Sequence, residues 1–114
     1  VIAVPGDIAD EAHRRELVAA AGGRLDLLVN NASLLGPSPQ PRLGEYPLAT
    51  LEAVYRVNVF APLRLIQMAL PLLGDGGRIV NVTSTTGRLG TVDSTAYAMS
   101  SMMKSTSAPV VSRQ

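Results

Sequence analysis

Two oxygen-bearing side chains thirteen positions apart, Ser84 and Tyr97, define the chemistry open to this chain. A phenol can give or take a proton, and a hydroxyl fixed beside it can hydrogen-bond a reacting oxygen. The serine closes the run Gly77-Arg78-Ile79-Val80-Asn81-Val82-Thr83-Ser84, whose β-branched core predicts a buried strand ending in hydroxyls. Asp93, Ser94 and Thr95 each suit a helix N-cap, which places Tyr97 in a first helical turn. Phenol and hydroxyl would then meet above the carboxyl edge of a sheet, where open α/β folds bind ligands. A free phenol titrates near ~10, so Tyr97 needs positive charge nearby to ionise at neutral pH.

Together with Asn30-Asn31-Ala32 and Asn58 upstream, this arrangement resembles the short-chain dehydrogenase/reductase family over roughly Val1 to Ser100. The resemblance implies an NAD(P)-dependent oxidoreductase that moves a hydride between nicotinamide and a small carbonyl or alcohol substrate. Tyr97 would be the general acid/base, and Ser84 would hold the substrate oxygen. Asn30, Asn31, Ala32 and Ser33 would tie neighbouring strands and let the backbone approach the adenosine half of NAD or NADP. The family usually ends that motif in glycine, and here Ser33 stands in its place. Asp7 and Ile8 match a position whose carboxylate accepts from the adenine amine; read alone, they form a simple turn.

Asn58 has a physical argument of its own. Pro62, four residues on, has no N–H, so the Asn58 carbonyl loses its helical donor. A carbonyl freed in this way can hold a water, and the family resemblance implies that role in a proton relay ending on a lysine. The family places that lysine four residues after the tyrosine, and this chain has Ser101 there. Lys104, the only lysine, lies two turns beyond Tyr97 on the same face. It starts about 4.5 Å farther along the axis than position 101, although helical side chains lean back toward the N-terminus. The expectation is therefore that Ser101→Lys would raise turnover more than Lys104→Ala would lower it.

The elements that position these residues follow from punctuation and period. Val1 to Val4 predicts a first strand. Asp10 caps a helix running to about Ala21, and Gly22-Gly23 stop it. Leu25 to Val29 predicts a second strand, and the proline-rich stretch from Leu34 to Pro47 a loop. A long helix is predicted from Thr50 to about Leu73, ended by Gly74, Gly76 and Gly77. A third strand over Arg78 to Val82 and a last helix from near Ser94 complete the pattern. Helices alternating with apolar strands indicate α/β architecture, a partial Rossmann-type doubly wound parallel sheet of three strands with helices on both faces. His13, among arginines, reads as a surface residue, and no metal site is expected.

No glycine-rich turn for a pyrophosphate occurs in the sequence. Residues 1–114 are thus expected to form a single, partial dinucleotide-binding domain, without the N-terminal glycine-rich βαβ unit and the C-terminal strands. The expectation is that such a chain is the central fragment of a longer enzyme. Net charge is +1 and cysteine is absent, which gives no sign of nucleic-acid or membrane partners and suits a cytoplasmic location. The long helix is apolar nearly all round, so a homo-oligomer through residues 50–73 and 94–104 is expected. The rival readings are a catalytically inactive member acting through association and, less well supported, a flavodoxin-like binding module.

Overall fold

The computed structural model describes residues 1–86 and 95–106. Asp10 caps the first helix, α1 (Glu11–Ala20), accepting from the Ala12 N–H at 3.0 Å. Gly22 and Gly23 take positive φ behind it, as a helix stop requires. Strand β1 (Leu25–Asn30) pairs in parallel with β2 (Leu73–Asn81). Their regular register joins Leu27 to Arg78 and Asn30 to Asn81. The Val82 N–H adds one more bond to the Asn30 carbonyl at 3.0 Å.

The crossover between the strands is helical but not uniform. It begins as α2 (Leu48–Tyr55), passes through a π-helical turn at Arg56–Phe60 and continues as α3 (Ala61–Ala69). A 3-10 turn at Leu70–Leu72 closes it. The last helix, α4 (Thr95–Thr106), lies against α2 and the π-helical turn. Val54, Ala61, Leu65, Ile66 and Ala69 form the core with Ala96. An ion cluster ties α1 to α3 at the surface. Glu11 receives Arg14 at 2.7 Å and Arg64 at 2.6 Å, and these guanidiniums hold its carboxyl down to about 2.

Several expectations need correction. The sheet of the described residues has two strands rather than three, because Val1 to Val4 is irregular and mostly exposed. A strand exists only where a neighbour takes its backbone bonds, and the pairing among the described residues is that of β1 with β2. The long helix starts at Leu48, without a side-chain cap from Thr50. It stops before Leu73 because Pro71 ends it, and Gly74, Gly76 and Gly77 fall inside β2, where pairing jumps from Leu73 to Arg78. Among the described residues, helices do not cover both sheet faces. Leu27, Val29 and Val80 on the strands, and Val82 just beyond β2, are each 43–49% exposed. His13 is buried, packed so closely on Gly6 that a Cβ there would overlap its ring. The Asp93 and Ser94 caps lie outside the described residues.

Among the described residues, no helix is long and apolar enough to cross a membrane.

Candidate functional site

The carboxyl ends of the two strands are joined side chain to side chain. Asn30 Nδ2 donates to Asn81 Oδ1 at 2.9 Å, and Asn81 Nδ2 in turn donates to the Lys104 carbonyl at 3.4 Å. That contact seats the C-terminal half of α4 over both strand ends. From there the Lys104 side chain reaches the loop beyond β1, where Nζ donates to the Ala32 carbonyl at 3.3 Å. Lys104 is only 2% exposed, and burial pushes its amine below the ordinary lysine value. Asn31, Ala32 and Ser33 are exposed. Asn30 Oδ1 is buried without a hydrogen-bond partner among the described residues.

Asn58 sits in the π-helical turn, which is the backbone's answer to Pro62. The Ala61 N–H bonds the Arg56 carbonyl, five residues back, so the helix absorbs an extra residue where the proline withholds a donor. The buried Asn58 side chain then works as a clamp. Its Oδ1 accepts from the Leu34 N–H at 2.7 Å, while Nδ2 donates to the Leu34 carbonyl at 2.8 Å and to Ser100 Oγ at 2.9 Å. Ser100 Oγ passes the chain on to the Tyr97 carbonyl at 2.9 Å. One amide thereby fixes the loop after β1 and the first turns of α4 to each other.

Tyr97 occupies the first turn of α4, half-buried. Ser84 lies three residues beyond β2, also half-buried, and its Oγ accepts from the Thr86 N–H at 3.3 Å and from Thr86 Oγ1 at 3.0 Å. These two bonds are local to the loop after β2, while the Asn58 and Ser100 bonds tie Asn58 to the Tyr97 turn. Asp7 is exposed and its Oδ1 accepts from the Ala9 N–H at 2.9 Å, the simple-turn geometry. The half-buried Ile8 gives its carbonyl to Arg14 Nη1 at 2.6 Å.

Sequence reasoning does not single out Ser100, Asn81 or the Lys104–Ala32 contact. Ser100 alone leaves a signal, a hydroxyl one helical turn after Tyr97. The unpaired Asn30 oxygen, the exposed Ala32–Ser33 backbone and a buried cation beside it fit the ribose-bearing part of a dinucleotide, which offers hydroxyl donors and acceptors.

Residues 1–105 match the short chain dehydrogenase family. The short chain dehydrogenase penD of Penicillium thymicola is 33% identical over 93 residues, covering 76% of this chain and 34% of that protein. A short-chain dehydrogenase/reductase from Serratia marcescens superposes with a TM-score of 0.75 at 34% identity, over 85% of this chain and 45% of its own. A blue fluorescent protein from a metagenomic library, solved in complex with NADPH, gives 0.74 at 38% identity, over 84% of this chain and 39% of its own. The chain spans about a third of the length of the curated relatives it matches.

Proposed function

This chain belongs to the short chain dehydrogenase family, and from that premise we propose that it is the central portion of an NAD(P)-dependent oxidoreductase acting on a small carbonyl or alcohol. NAD or NADP supplies or accepts the hydride when bound, and the residues of this chain bind, orient and move the proton. The Tyr97 phenol gives its proton to the carbonyl oxygen in reduction and takes one from the hydroxyl in oxidation. Ser84 Oγ hydrogen-bonds the same substrate oxygen and holds it for attack. Asn30, Asn31, Ala32 and Ser33 line the adenosine side, and Asp7 with Ile8 meets the adenine amine. The Asn58 backbone carbonyl holds a relay water while its side chain fixes the Tyr97 turn. A cysteine-free chain suits the cytoplasm. A homo-oligomer would form through α2, α3 and α4.

The observation that carries this reading is the hydrogen-bonded path from the loop after β1 through Asn58 and Ser100 to Tyr97. A path of that kind restrains the one turn whose phenol must be held against a substrate. A similar protein solved in complex with NADPH supports the cofactor assignment. Titration with NADH and NADPH, followed by cofactor fluorescence, should give saturable binding to at least one. Tyr97→Phe should retain that binding and lose carbonyl reduction by at least ~100-fold, the lower end of what a positioned acid contributes. Failure of both cofactors to bind the native chain would leave an associating, non-catalytic role instead.

A further inference from the structure

The turn ahead of α1 is held harder than a surface turn needs. Arg14 is only 8% exposed, and a guanidinium is costly to remove from water unless its donors find acceptors. Here Nε and Nη2 both donate to Glu11 Oε2, at 3.2 and 2.7 Å, while Nη1 donates to the Ile8 carbonyl at 2.6 Å. Glu11 also receives Arg64 of α3 at 2.6 Å, so the grip on Ile8 is anchored in a second helix. His13, next to Arg14 and also buried, packs flush on Gly6. Two consecutive polar side chains of α1 thus pin the residues on either side of Asp7. The Ile8 side chain completes the hold by lining the apolar groove with Leu17 and Leu28. Asp7 stays exposed between them, its Oδ1 set by the Ala9 N–H at 2.9 Å and its carbonyl by the Asp10 N–H at 3.0 Å.

We propose that Arg14 is a positioning residue for base selection: by fixing the Ile8 carbonyl, and with it the Asp7 carboxylate, it makes the cofactor site demand a purine that carries an amine. This rests on the oxidoreductase reading, in which Asp7 meets the adenine amine, and adds the residue that aims the carboxylate. An ionised carboxylate only accepts, so it favours an exocyclic amine and repels a ring carbonyl in the same place. That discrimination depends on a fixed direction, because a turn free to swing aside would take either base alike. Arg14 touches neither the base nor the reacting atoms.

The probes are reduced dinucleotides carrying adenine or hypoxanthine, which differ at the amine and share the fluorescence of the reduced nicotinamide. The native chain should bind NADH or NADPH at least ~10-fold more tightly than its hypoxanthine counterpart, about 1.4 kcal/mol. Arg14→Met fills similar volume without the fork, and Glu11 keeps Arg64 in that variant, so α1 and α3 stay joined. It should bring the adenine form to within ~3-fold of the hypoxanthine form while the hypoxanthine affinity holds. Arg14→Lys keeps one donor for the Ile8 carbonyl and should recover part of the preference. Equal losses for both dinucleotides, or loss of neither, would make Arg14 an internal brace and overturn the proposal. Should Arg14→Met unfold, the Arg14 Nε proton of the native chain decides instead. Its exchange with water should slow on saturation with the adenine form and not with the hypoxanthine form, and unchanged exchange overturns the proposal. A native chain that binds both dinucleotides equally also overturns it, with the oxidoreductase reading intact. A native chain that binds neither sinks that reading and the proposal together.

Discussion

At the scale of single residues, Asn58 and Glu11 illustrate two different kinds of hold. Asn58 satisfies both backbone groups of Leu34 and a buried hydroxyl at once. Asn58→Ala should therefore cost about 2 kcal/mol of unfolding free energy, by leaving part-buried groups unpaired, and urea denaturation would measure it. A loss below about 0.5 kcal/mol, the low end for one hydrogen bond, would show that water replaces the clamp without penalty. Glu11 acts through charge. Its carboxyl falls from 4.5 to about 2 in the folded chain, so the folded state binds fewer protons than the unfolded one in that range. Its contribution is complete above pH 4.5 and disappears as pH drops toward 2. Thermal melts across that window should decline more steeply for the native chain than for Glu11→Gln, which has no such proton to gain. The cluster lies at the surface, so added salt should flatten the difference.

At the scale of elements, the crossover from β1 to β2 separates what a sequence can declare from what it cannot. Asp10, Gly22 and Gly23 state the ends of α1 outright, and the regular part of β2 follows from its β-branched run. Pro62 announces a disturbance around Asn58, yet only packing decides whether the chain kinks or inserts a π-helical turn. Val1 to Val4 does not form the expected strand because apolar β-branched residues state an affinity, and pairing needs a neighbour. In the candidate site, Tyr97 in a first turn is legible, while the Ser100 and Asn81 bonds depend on contacts between residues far apart in the chain. The same crossover carries a prediction about assembly. Leu63 and Leu70 are exposed in the α3 region, as are Met99, Met102 and Met103 on α4. Leu63→Glu should convert an oligomer to monomer in sedimentation velocity while leaving the circular dichroism spectrum unchanged. A native chain already monomeric at tens of micromolar would remove the interface.

Taken as a whole molecule, the described residues build a helical layer on one side of a two-stranded sheet and leave apolar strand surface open. An apolar groove of about 260 Å3, lined by residues including Leu17, Leu28, Leu65 and Leu72, adds to the unfilled surface between α1 and α3. Parallel sheets ordinarily need cover on both faces. The isolated chain should then bind the dye ANS in its native state, and Val80→Thr with Val82→Thr should reduce that fluorescence by roughly half, both being exposed and outside the groove lining. Unchanged fluorescence would place the dye in the groove instead. Lys104 offers a second readout at this scale. Acylating reagents find its amine only when α4 lifts from the strand ends, so the rate of modification at that single position is a clock for the opening of the last helix.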